Sequence, residues 1–199
     1  MSWRHSGRGL AWWVSMACLA VGCSVGEGTG AISGMVTAEG CELPDPPYEL
    51  QPSFFVGEVT GDALNLRVQR GSDLEGYADG LVIVVRDVDE VKRDRLGLPI
   101  RFEDDAEALV QATLHLNETC PTGFPSFFRT RPYAMMAVGG TITFDAVYAP
   151  NLDAGSTLIE ARLDGVRFED REIPEERNAT LDGTFSFFYQ RGSPAQRFP

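Results

Sequence analysis

Histidine and positive charge are scarce in this chain. Its two histidines are His5 and His115, too few for a His-rich zinc site, and the H-E-x-x-H pattern does not occur. There is no G-x-S-x-G either, so no nucleophile elbow stands ready for a histidine. Against 29 acidic residues there are 17 basic ones, giving a formal charge of −12. No basic run offsets it. A chain this acidic repels phosphate backbones, so nucleic acid is not an expected partner. The same charge should hold the folded body off anionic lipid head groups. The apolar stretch Leu10–Gly22 covers only 13 residues. At helical rise that spans about 20 Å, short of the ~30 Å hydrocarbon core, so no permanent transmembrane helix is expected.

That stretch has another use. Arg4 and Arg8 precede it, and small residues lie at its end, the three-part layout of a secretory signal over residues 1–22. It closes on Leu19-Ala20-Val21-Gly22-Cys23-Ser24. This segment resembles the lipobox of bacterial lipoprotein precursors, with Ala20 where Leu is usual and Val21 where Ala or Ser is usual. The resemblance implies cleavage before Cys23, acylation of Cys23 and anchoring to a lipid bilayer. Ser24 in place of Asp implies the outer membrane. The alternative is ordinary cleavage after Gly22, which yields a soluble secreted protein. Loss of Arg4 and Arg8 takes the formal charge from −12 to −14.

A mature chain of 177 residues suits one domain with a full core. Residues 23–34, rich in glycine and small side chains, read as a lipidated flexible tether. Residues 35–190 read as a single β-rich domain, and 191–199 as an extended tail. With Cys23 acylated and Cys18 removed in the leader, Cys41 and Cys120 remain. In an oxidising compartment they are expected to form a disulfide. It would join two Pro-rich stretches, Cys41–Ser53 and Thr119–Pro132.

Between those stretches the pattern is that of strands. Ile142, Phe144, Ala146 and Tyr148 alternate, as do Leu181, Gly183, Phe185, Phe187 and Tyr189, and Val110, Ala112, Leu114 and Leu116. Leu81–Val85 is apolar on both faces and predicts a central strand covered on each side. Further strands are predicted near 31–38, 54–60 and 63–70. Asp87 followed by Glu90 predicts a capped short helix over 88–96, stopped by Gly97 and Pro99. Asp164-Gly165 could turn a hairpin, but that would oppose Arg162 to Arg167 and Glu160 to Glu169. Apolar parity also flips there, from Ile159, Ala161 and Leu163 to Val166 and Phe168. A bulge within one long strand buries both halves. The expected fold is all-β, mainly an antiparallel β-sandwich with one short helix, and the alternative is a closed β-barrel.

Chemistry is thin. His115 should lie on the polar, solvent-facing side of its strand. The acidic groups Glu103-Asp104-Asp105 and Asp87, Asp89 and Glu90 read as solvated faces. Asn151–Gly155 and Asp73–Glu75 lack a full calcium loop. Asn117-Glu-Thr119 and Asn178-Ala-Thr180 fit glycosylation acceptors, which a bacterial host would leave unused. No catalytic residue, metal or cofactor is assigned. Adjacent Phe pairs point to opposite faces of a strand, so Phe54, Phe127 and Phe187 are candidate ligand-stacking rings. Burial of both rings of each pair, one in the core and one beneath a Pro-rich loop, is the competing expectation. The chain reads as a non-enzymatic cell-envelope lipoprotein, a binding or structural module whose partner could be an envelope protein or a polysaccharide. The alternatives are a carbohydrate or small-ligand binding module and a secreted hydrolase using carboxylates.

Overall fold

The computed structural model describes residues 28–39, 41, 43–71, 78–103, 105, 107–120, 133–154 and 157–189. Strands form 61% of them, so the all-β expectation holds, and the sequence alternation shows why. In β7 (Val110–Leu116) the four apolar residues are buried and Gln111, Thr113 and His115 between them are half-buried. In β10 (Arg177–Tyr189) Leu181, Phe185, Phe187 and Tyr189 are buried in the same alternation.

Ten strands belong to one antiparallel sheet. The others are β1 (Gly28–Ala38), β2 (Tyr48–Leu50), β3 (Phe54–Thr60), β4 (Ala63–Gln69), β5 (Asp79–Val85), β6 (Pro99–Arg101), β8 (Ala134–Ala146) and β9 (Thr157–Glu169). Their order is β2-β1-β10-β9-β8-β7-β5-β4-β3, with β6 also paired to β8. The sheet curls into a half-barrel. The alternative of a closed barrel is not formed, because terminal strands β2 and β3 do not pair with each other. Nor does the sheet divide clearly into the two layers of a sandwich.

Curling brings edge strand β3 against β10 across the core. Phe55 of β3 stacks on Phe187 of β10 with ring centroids 5.4 Å apart. Tyr189 stacks on Tyr148 at 3.9 Å. A side chain at Gly57 would put its Cβ 2.7 Å from the Tyr189 ring, so β3 approaches β10 this closely only with glycine there. Glycine has the same use at the start of β1. Residues 28–34, expected in the tether, are strand residues paired along β10. A Cβ on Gly28 would lie 2.5 Å from the Phe187 Cβ. Composition that suggests a loose linker here marks close packing instead. Of the expected tether, residues 23–27 lie outside the described residues, as do the leader and the 191–199 tail.

Asp164-Gly165 lies inside β9, and the strand continues through it. Leu163 pairs with Gly183 and Val166 with Leu181, so two residues of β9 oppose one of β10. Gly165 takes a left-handed φ of 54°, as a glycine bulge requires. Its N–H donates to Asp182 Oδ1 at 2.6 Å. Ile159, Ala161, Leu163, Val166 and Phe168 are all buried, as the parity argument demands.

The expected helix is present in a modified form. Val88–Glu90 (α1) forms a short α-helix and Val91–Arg95 continues it as a wider π-helical segment. Asp87 Oδ1 accepts the Glu90 N–H at 2.8 Å, Val88 and Val91 are fully buried, and Gly97 ends the segment at φ 71°. One expectation needs correction. β5 is central, between β4 and β7, but only Leu81, Ile83 and Val85 are buried, while Val82 and Val84 are half-exposed. Its outer face is not fully covered.

Candidate functional site

Among the described residues a dense polar cluster lies beside the Cys41–Cys120 disulfide. Cys41 and Cys120 are disulfide-bonded with Cα atoms 5.0 Å apart. Next to them Asp79, the first residue of β5, has no exposed side-chain surface. Its Oδ1 accepts the backbone N–H groups of Glu118 and Thr119, each at 3.0 Å. Its Oδ2 accepts the Tyr48 hydroxyl at 3.1 Å and the Thr119 hydroxyl. Arg70 Nη1 lies 3.7 Å from Oδ2, and the Arg70 guanidinium also donates to the Glu49 carbonyl. The Tyr48 phenol is pushed well above its ordinary range, first by burial and then by the charge of Asp79. With both carboxylate oxygens occupied, Asp79 has no free acceptor for a substrate proton. The arrangement is a clamp that joins edge strand β2 to β5 and to the turn after β7.

Asp153 and Asp170 are held in a similar way. Lys92 Nζ donates to both oxygens of Asp153, at 2.8 and 2.7 Å, and to the Val147 carbonyl at 2.9 Å. Burial opposes the Asp153 charge, but the Ala149 N–H and Lys92 outweigh it and hold the carboxyl below its usual range. Asp170 behaves likewise. Burial raises it, and the Glu172 N–H, Arg177 and the Ile173 N–H together lower it further. Asp89 accepts the Asn151 amide at 2.9 Å. The would-be calcium ligand Asp153 is therefore a loop lock held by lysine. Among the described residues no group of three His, Cys, Asp or Glu side chains could hold a metal ion.

His115 departs from the expected solvent-facing position. It is half-buried, and burial followed by the nearby Arg67 charge lowers its pKa. The void beside it measures about 20 Å³ and is lined by Arg67, Gln69, Gly80, Leu81 and Val82 among others. That is room for nothing larger than a water molecule.

The aromatic candidates separate. Phe54 and Phe187 are each 2% exposed, so neither can present a ring and both assignments are corrected. Phe187 points inward onto Phe55, and Phe54 is covered although its neighbour Phe55 fills the core. Phe127 lies outside the described residues. Among the described residues the exposed phenylalanine ring is Phe188, at 54%, because strand alternation turns it to the outer face beside Leu158 of β9. On that same face a trough of about 390 Å³ crosses β1, β10 and β9, lined by Thr29, Ala31, Glu160, Thr184 and Ser186. It carries hydroxyls and a single carboxylate, whereas glycoside hydrolysis needs two.

The Asp79 clamp was not foreseen from sequence. An aspartate opening an apolar strand looks like any strand-end charge, and only the fold brings Tyr48 and Thr119 to it. No helix among the described residues is long and apolar enough to cross a membrane. No protein-family model, curated protein or solved structure shows significant similarity to the chain.

Proposed function

We propose that this chain is an exported, non-enzymatic envelope protein, anchored to the outer membrane through acylated Cys23 and serving as a binding or structural module. The observation that carries the reading is the Cys41–Cys120 disulfide. Such bonds persist in oxidising compartments, where the leader over residues 1–22 would deliver the chain. Support for a non-enzymatic role comes from the clamp and locks that occupy Asp79, Asp153 and Asp170. The experiment is fractionation of the native host with mass spectrometry of the mature N-terminus. An N-terminal Cys23 carrying acyl chains is expected, with Cys23→Ser moving the protein out of the membrane fraction. A retained leader, or an unmodified thiol at Cys23, overturns the anchoring.

A second reading is favoured by the outer-face trough. Its hydroxyls, Glu160 and the neighbouring Phe188 ring suit a saccharide or other polyol. Under this reading Phe188→Ala and Glu160→Gln abolish oligosaccharide binding measured by calorimetry. Absence of any binding by the unaltered protein removes it.

A further inference from the structure

We infer that the end of the half-barrel nearest Cys23 is a lipid-facing rim, in which Leu96, Leu98 and Leu152 enter the head-group region and the neighbouring arginines meet anionic lipid. The inference rests on the anchoring just proposed and revises the expectation that negative charge keeps the whole body off the bilayer.

Strand register defines that end. β1 starts at Gly28, beside Phe187 near the finish of β10. Phe188 pairs with Leu158 near the start of β9, and Ala146, the last residue of β8, pairs with Glu160. The turn carrying Leu152 connects β8 to β9 there. The Gly97 N–H bonds the Phe144 carbonyl at 2.9 Å, which brings Leu96 and Leu98 to the same end. Cys23 precedes Gly28 by five residues. Fully extended chain covers about 18 Å over that length, so an acylated Cys23 keeps this end close to the bilayer surface.

The exposed apolar side chains concentrate here. Of the five large ones left in solvent among the described residues, four are Leu96 at 39%, Leu98 at 52%, Leu152 at 46% and Phe188. The fifth, Met35, lies seven residues up β1, roughly 23 Å away. Exposed arginines lie beside these leucines. Arg93 and Arg95 precede Leu96, Arg101 follows Leu98, and all three are exposed, while Lys92 is held by Asp153. Acidic side chains border this stretch on both sides, Asp87, Asp89 and Glu90 before it and Glu103, Asp105 and Glu107 after it. Asp87 caps Glu90, Asp89 holds Asn151, and Glu90 lies 3.5 Å from Arg95. Leucines flanked by arginine, whose charged tips reach to head groups from apolar stems, match an interfacial lipid contact. Such a contact adds a second attachment to the acyl anchor.

The test uses the full chain, processed in its host and reconstituted in vesicles of phosphatidylethanolamine and phosphatidylglycerol. All three tryptophans, Trp3, Trp12 and Trp13, lie in the leader, so Leu98→Trp gives the mature protein a lone indole. Leu152→Trp is a second rim position and Met35→Trp the control. Brominated phospholipids should quench the indole at positions 98 and 152 roughly twofold or more over the control. Replacing Arg93 and Arg95 by Glu should reduce that difference. Protein that floats with the vesicles while all three positions quench equally overturns the rim and leaves the anchor standing. A rim indole that is blue-shifted but unquenched identifies a protein contact and also overturns it. Protein that does not float overturns the anchor and the rim together.

Discussion

The Tyr48 hydroxyl reaches the buried Asp79 carboxylate at 3.1 Å across 31 residues of sequence. This bond ties the short edge strand β2 to the strand that opens the other half of the sheet. Tyr48→Phe removes one donor while three others remain on Asp79, so a loss of about 1 kcal/mol is expected. Asp79→Ala strands the hydroxyls of Tyr48 and Thr119, two backbone N–H groups and the Arg70 charge together. A loss of about 3–5 kcal/mol is expected, comparable to breaking a buried charge network. Urea unfolding of the two variants measures both. Equal effects would mean that Asp79 is not the hub.

The disulfide closes a loop of 79 residues beside the same clamp. In the chain-entropy model a loop of this size contributes about 4–5 kcal/mol. Reduction, or replacement of Cys41 and Cys120 by serine, should lower the unfolding midpoint accordingly. Free thiols in protein isolated under alkylating conditions from its host would refute the bond.

The bulge in β9 depends on two glycines for different reasons. At Gly165 the space is open and only the left-handed φ resists a side chain, so Gly165→Ala should cost about 1–2 kcal/mol. At Gly140, with φ 84°, a Cβ would lie 2.3 Å from the Gly165 carbonyl oxygen. Gly140→Ala should therefore cost clearly more than Gly165→Ala. A thermal unfolding series with both variants decides the order.

The pH dependence has two separable parts. His115 titrates below its unfolded value of about 6.5, so the unfolded chain binds the extra proton first. Stability should fall as pH drops through that value, and His115→Gln should flatten this part of the curve. Asp153 and Asp170 have lowered pKa values, so their contribution is fully present above about 3.9. It is lost as pH falls further, through the folded values. Lys92→Met raises the folded value of Asp153 and should bring its share of acid unfolding to higher pH. Stability profiles of the three proteins from pH 8 to 2 test each sign.

Local patterns carried much of the fold. The alternation in β7 and β10, the cap at Asp87 and the parity flip at Asp164-Gly165 each depend on neighbours within a few residues. The candidate sites were less legible. Phe187 and Phe188 differ by one position in sequence, and assigning the exposed ring requires knowing which face of β10 meets Phe55. The glycines of residues 28–34 have the composition of a linker. Their packing role appears only when Phe55 and Phe187 are seen across the core.

Strand periodicity determined by itself that the chain builds antiparallel β structure, whereas the Cys41–Cys120 pairing was expected only with Cys18 and Cys23 set aside. Side-chain burial along a strand follows from its own period of two. Tertiary structure alone decided that the ten strands of the described residues share one curled sheet, and that Asp79 becomes a clamp. Both depend on residues distant in sequence, whose meeting is set by sheet twist and by the glycines that let β3 and β10 approach.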